Sequence, residues 1–175
     1  MTHRSLLVLG VAIMLAAPAS SHAQSPVERG KYLVTIGSCT DCHTPGHLLG
    51  KPDLTHYLGG SDVGFDIPGL GVFVGRNLTP DKETGLGSWS DQDIITAITT
   101  GARPDHRMLA PIMPWQALSK LSPDDAKAIV AYLRSIPPVK NAVPGPFGPN
   151  EKPSVLVFTI VPGDVFATMP KAPPN

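Results

Sequence analysis

Cys39-Thr40-Asp41-Cys42-His43 concentrates the reactive side chains of this sequence in five residues. Two cysteines three apart with a histidine directly after the second spell C-x-x-C-H, the attachment signature of c-type haem. On one helical turn, positions i and i+3 share a face, so both thiols reach the two vinyl groups on one edge of a porphyrin. The histidine that follows can place its imidazole under the iron as the proximal ligand. A zinc site needs about four ligands, whereas the sequence holds 2 cysteines in all. A redox dithiol is expected beside a βαβ pattern, and none surrounds this stretch.

The sixth position on such an iron decides between a carrier and a catalyst. Methionine fills it and raises the potential, whereas an open position admits small molecules. Beyond residue 23 the methionines are Met108, Met113 and Met169. Met113 lies in Pro111-Ile112-Met113-Pro114-Trp115, where flanking prolines restrict the loop and can hold a thioether in place. The plainer reading is a methionine that fills core space. Met108 is a second methionine to weigh, and His47, His56 and His106 are alternative histidine ligands, each also readable as an ordinary surface histidine.

Three helices are predicted around these residues. Val27 to Gly37 carries Val27, Tyr32, Leu33 and Ile36 at roughly helical spacing and runs into the haem motif. Gly30 within it either weakens the helix or permits close approach of another. A second helix opens after Trp89, with Ser90 as cap, Asp93 as the return partner of a capping box, and Gly101 as the stop. Its apolar side is Ile94, Ile95, Ala97 and Ile98. The third is capped by Ser122, with Pro123 in first position and Asp124 and Asp125 at the positive end of the dipole. Ala126, Ile129, Val130 and Leu133 form its buried stripe, and Pro137-Pro138 ends it.

Between and beyond the helices the chain reads as loop. Thr44 to Gly87 is rich in Gly, Pro, Asp and Asn, and a loop this long in a compact domain is usually functional. Within it Val63–Ile67 and Gly71–Val74 read as a short hairpin or a pair of extended strands, because Pro68-Gly69 suits the centre of a type II turn. Arg103 to Leu118 reads as a proline-punctuated loop. The tail to Asn175 is expected to be extended and packed on the outside, with Val155 to Val161 as a strand or loop.

The chain has 175 residues and formal net charge +0. Thr2-His3-Arg4, the apolar run Leu6 to Ala17 and Ser21-His22-Ala23 form a secretory signal pattern, with cleavage expected before Gln24. The run is too short for the ~20 residues of a membrane span, and no other stretch of the sequence is long enough. No transmembrane span is therefore expected in the mature chain, and the location implied is the periplasm. Loss of Arg4 would leave the mature chain slightly acidic, which argues against a nucleic-acid partner. Pro 20 and Gly 17 suit short helices joined by turn-rich loops.

The chain resembles a class I c-type cytochrome of proteobacterial type, and is similar to the cytochrome domains in haem subunits of membrane-bound alcohol and sugar dehydrogenases. The matching stretches are Gly30-Lys31-Tyr32-Leu33, Cys39 to His43, Asn77-Leu78-Thr79-Pro80-Asp81 with Thr84-Gly85, and Gly87-Ser88-Trp89-Ser90-Asp91. They continue in Met113-Pro114-Trp115 and in Ala131 to Pro138. The resemblance covers roughly Val27 to Val139. It carries one C-x-x-C-H where those subunits carry several, and no C-terminal anchor helix is expected.

The resemblance implies an all-α fold, short helices around one covalently bound haem c, with His43 and Met113 as axial ligands. With the leader pattern over 1–23, the expected organisation is a cytochrome domain over 24–139 and a Pro-rich extension over 140–175 packed on that domain. Arg76 and Asn77 are candidates to meet the haem propionates, although Asn77 equally suits a turn before Thr79-Pro80. Trp89 is expected in the core, Ile94 and Ile98 against the macrocycle, and Pro45 behind His43. The implied role is an electron carrier, not an enzyme, shuttling between a dehydrogenase and an oxidase or other respiratory acceptor. A dedicated haem subunit of one dehydrogenase complex is the alternative, and a haem enzyme or gas sensor with open iron is a third.

Overall fold

The computed structural model describes residues 24–170, so the expected leader lies outside the described residues. The first helix, α1 (Pro26–Ile36), starts where Ser25 and Glu28 complete a reciprocal capping box. Proline in its first turn lacks only a donor that would go unpaired there. A five-residue helix, α2 (Cys39–His43), follows after Ser38 turns the chain through the left-handed region at φ 53°. Short 3-10 turns over His47–Leu49 and Leu54–His56 lead into β1 (Val63–Ile67) and β2 (Gly71–Val74).

Beyond the sheet come α3 (Asp91–Thr100), α4 (Trp115–Leu118) and α5 (Pro123–Ser135). The tail then adds β3 (Leu156–Phe158) and α6 (Gly163–Thr168). The caps read from the sequence are in place: Ser90 and Asp93 bond each other's backbone at the start of α3, and Ser122 accepts from the Asp125 amide at the start of α5.

The core is the seam between α1, α3 and α5, formed by Leu33, Val34, Leu58, Ile94, Ile129, Val130, Tyr132 and Leu133. Gly30 decides how closely α1 and α5 cross, since a Cβ there would overlap the Ala128 carbonyl oxygen. The close-approach reading of that glycine is the one the packing shows. Arg29 of α1 and Asp125 of α5 close the crossing with a 2.8 Å ion pair. Arg134 near the end of α5 binds Asp91 at 2.9 Å and the carbonyls of Leu86 and Trp89, which ties α5 to the start of α3.

An all-α fold is corrected by a three-stranded sheet of order β2-β1-β3. β1 and β2 form the expected antiparallel hairpin with Phe65 opposite Phe73. Its turn is closed by Leu70 N–H donating to the Ile67 carbonyl at 2.9 Å, with Gly69 at φ 78° as a type II turn requires. The third strand comes from the tail, parallel to β1 with Val63 opposite Leu156. Once the hairpin forms, the outer edge of β1 presents unpaired backbone groups, and the tail satisfies them. Two helices also depart from the loop readings, α4 inside Arg103 to Leu118 and α6 in the tail.

Candidate haem site

α2 places Cys39 and Cys42 about one turn apart on one face, both free of disulfide and partly buried. Burial pushes the Cys39 thiol up to about 11 and raises Cys42 in the same direction. With nothing bound, burial thus holds both sulfurs as thiols rather than thiolates. Among the described residues no group of three or more His, Cys, Asp or Glu is placed to hold a metal ion.

His43 is buried at 9% exposure. Its Nδ1 lies 2.7 Å from the Arg76 carbonyl oxygen, and since a carbonyl only accepts, Nδ1–H donates. The neutral ring then keeps its Nε2 lone pair for a metal, the arrangement that orients a ligating histidine. Burial lowers the proton affinity of the imidazole, and the Arg76 carbonyl offsets part of that. Two backbone segments brace the motif. Gly60 N–H donates to the His43 carbonyl at 2.9 Å, and Leu58 N–H donates to the Thr44 hydroxyl at 3.0 Å. Gly75 passes so close that a Cβ there would overlap the Cys42 carbonyl oxygen.

The sequence pointed to the Arg76 side chain, yet it is the Arg76 backbone that meets His43. The guanidinium donates to the carbonyls of Val143, Pro144 and Gly145. Asn77 is 2% exposed, and its amide holds the following turn. Oδ1 accepts from the Thr79 amide at 2.9 Å and hydroxyl at 2.7 Å, while Nδ2 donates to Thr84 and to the Val139 carbonyl. Pro45 accepts from the Asp53 amide at 2.9 Å.

Met113 sits in a tight turn, its amide donating to Ala110 at 2.9 Å and its carbonyl accepting from Trp115 at 2.8 Å. It is partly buried, whereas Met108 is 58% and Met169 41% exposed. Of the histidines considered as alternatives, His47 is 3.4 Å from Asp41 and His56 is 2.7 Å from Asp53. His106 is exposed. Ile94 is in the core at 2% exposure, and Ile98 and Trp89 pack against it.

Two features of the remaining surface suit an added acceptor-bearing group such as haem. The Trp115 indole N–H is buried with no acceptor among the described residues. Arg76 has no carboxylate partner among them either, and its proton affinity is lowered by burial and then by the Arg103 and Arg107 guanidinia. The approach of Arg103 and Arg107 to Arg76 was not legible in the sequence, although Arg-Pro-Asp-His-Arg places a carboxylate midway between two arginines.

Comparison with known proteins agrees with this geometry. The family model for cytochrome c matches residues 27–137. The fructose dehydrogenase cytochrome subunit of Gluconobacter japonicus is 38% identical over 62% of this chain and 22% of its own length. The cytochrome c subunit of the quinone alcohol dehydrogenase of Gluconobacter oxydans (strain 621H) is 31% identical over 76% of this chain and 27% of its own. The gluconate 2-dehydrogenase cytochrome c subunit of Pantoea cypripedii is 35% identical over 78% and 29%. The chain thus spans about a quarter of the length of these relatives. With the family model covering most of the chain, and the thiols and the oriented histidine inside the matched residues, this chain belongs to the cytochrome c family.

Proposed function

We propose that the protein is an exported monohaem electron carrier, with haem c joined to Cys39 and Cys42 and ligated by His43 and Met113. The observation that carries this reading is the buried His43 imidazole, its Nδ1–H committed to the Arg76 carbonyl at 2.7 Å, one residue beyond the second thiol. Bound haem supplies one-electron chemistry at its iron. The chain supplies two sulfur anchors, an oriented imidazole and a thioether from a turn tethered by backbone bonds. The leader over 1–23 assigns it to the periplasm, with the mature chain beginning at Gln24 and electrons passing from a dehydrogenase to a respiratory acceptor.

The exported protein should keep haem on a denaturing gel stained for peroxidase activity. Haem that washes away entirely overturns the attachment to Cys39 and Cys42. Met113→Ala should lower the midpoint potential and let the reduced protein bind carbon monoxide. Met108→Ala should do neither, because its exposed side chain is free of the ligation role. A methionine–iron charge-transfer band that survives in Met113→Ala and vanishes in Met108→Ala overturns the ligand assignment.

A second reading, a resident haem subunit of one dehydrogenase, is favoured by the tail. Leu156 (56%), Phe158 (58%) and Ile160 (88%) expose apolar side chains close together in sequence, and clusters of that kind mark protein contacts. The relatives named above are themselves cytochrome subunits of dehydrogenases.

A further inference from the structure

Two backbone segments bond to His43, and the tail holds both of them. Arg76 accepts from His43 Nδ1–H at 2.7 Å through its carbonyl, while its guanidinium donates to the carbonyls of Val143, Pro144 and Gly145. One residue therefore binds the imidazole with its main chain and the tail with its side chain. Gly60, whose N–H donates to the His43 carbonyl at 2.9 Å, lies so close to Val143 that a Cβ on it would overlap the valine methyl. Next to it, the Gly59 carbonyl accepts from the Asn141 side-chain amide at 2.9 Å. Asn77, beside Arg76, donates to the Val139 carbonyl at 2.6 Å, where the tail begins.

The local sequence suits this bracing. Asn141, Val143 and Gly145 are partly buried, whereas Ala142, Pro144 and Pro146 between them are exposed, the two-residue alternation of an extended chain. Pro144 and Pro146 have a fixed φ and no amide donor, so the segment stays extended and its carbonyls are left for a donor from elsewhere. A planar guanidinium with five donors suits a row of such carbonyls, whereas a lysine ammonium is a point charge on a flexible stem. Asn141 to Gly145 lie beyond residues 27–137 of the family match, so this brace belongs to the tail and not to the matched segment.

We propose that the tail segment Asn141 to Gly145, gripped by Arg76 and seated on Gly60, tunes the haem by holding the Arg76 carbonyl against His43 Nδ1–H. This rests on the haem reading above, in which His43 ligates the iron. A hydrogen bond from Nδ1–H makes a ligating imidazole a stronger donor. A stronger donor favours oxidised iron, so the grip of the tail lowers the midpoint potential. The Arg76 side chain and Val143 are positioning groups, since they act on the iron through His43.

The test uses the haem-loaded protein, with intact mass measured first. Arg76→Lys keeps the charge and removes the fork, and Val143→Ala keeps the charge and opens space over Gly60. Both should raise the midpoint potential, Arg76→Lys by more. Exchange of the His43 ring N–H with deuterium, followed by proton NMR of the reduced protein, should quicken severalfold in both. Backbone amides of α1 and α5 should exchange as in wild type, which separates a loosened imidazole from a loosened fold. Should Arg76→Lys fail to load haem, Val143→Ala carries the test alone. A potential and a ring N–H exchange that match wild type, or a potential that falls, overturn the proposal. So does a lower denaturation midpoint with both readouts unchanged, which would make the tail a stabilising strap and nothing more. A wild type without covalent haem removes the underlying haem reading, which is a different failure from haem bound with an unresponsive potential.

Discussion

His43 receives its orientation from a backbone carbonyl, so no side-chain substitution at position 76 removes the acceptor itself. What substitution can alter is the chain path, and elsewhere in the fold three non-glycine residues hold strained backbones. Ser38, Leu58 and His106 adopt left-handed backbones at φ 53°, 56° and 63°. Leu58 is fully buried, so its side chain compensates the strain through core packing. His106 is exposed, and its amide closes a turn to the Arg103 carbonyl at 3.0 Å. A non-glycine residue in the left-handed region costs ~1–2 kcal/mol, while glycine loses ~0.5–1 kcal/mol through its freer unfolded state. His106→Gly should therefore stabilise the protein by up to ~1 kcal/mol. Urea unfolding with an unchanged slope checks it, and an unaltered haem spectrum in the same variant excludes His106 as a ligand.

At the scale of elements, the seam between α1 and α5 holds the haem motif in place, because α2 continues directly from α1. Gly30 sits at the crossing with no room for a Cβ against Ala128 and Tyr132. Gly30→Ala raises helix propensity by ~1 kcal/mol, yet overpacking of this kind costs ~1–3 kcal/mol and shifts the backbone. Destabilisation should win, read as a lower denaturation midpoint and reduced haem loading of the exported chain. Gly163→Ala is the control, since a Cβ there meets nothing within 4 Å. Stability equal to wild type in Gly30→Ala would mean that α1 and α5 do not cross this closely. The three long helices were legible from their apolar spacing, and two of them also from the caps Ser90 and Ser122, whereas the Ser25–Glu28 box that opens α1 was found only in the structure. α4 and α6 were not legible, being shorter than the length at which local preference sustains a helix. β3 was legible as apolar but not as parallel to β1, a pairing fixed by contacts some ninety residues apart in the chain. At the site, the thiols and His43 were readable as side chains. The Arg76 carbonyl and the close pass of Gly75 are backbone features that no residue type announces.

Across the whole molecule, the tail behaves as a strap over the segment that orients His43. Arg76 grips Val143, Pro144 and Gly145, Asn141 donates to the Gly59 carbonyl at 2.9 Å, and Phe147 exchanges two backbone bonds with Val72. β3 extends the sheet, and Thr159 donates to Asp66 at 3.0 Å. Beyond these anchors the strap leaves Leu156, Ile160 and Val165 exposed. Ile160, at 88% exposure, has so little packing to lose that Ile160→Lys should change stability by less than ~0.5 kcal/mol. Among the described residues no helix is long and apolar enough to cross a membrane. A resident subunit would meet its dehydrogenase through exposed apolar side chains such as these. If the protein is a resident subunit, wild type from its native host should migrate by size exclusion with a dehydrogenase activity. Ile160→Lys, paired with Leu156→Lys, should then shift the haem absorbance to the size of the single chain while the potential stays the same. A wild type that already migrates alone, and exchanges electrons equally well with both lysines present, selects the free carrier instead. The charged variant separates the two readings because it changes the strap's outer face and leaves Cys39, Cys42, His43 and Met113 as they were.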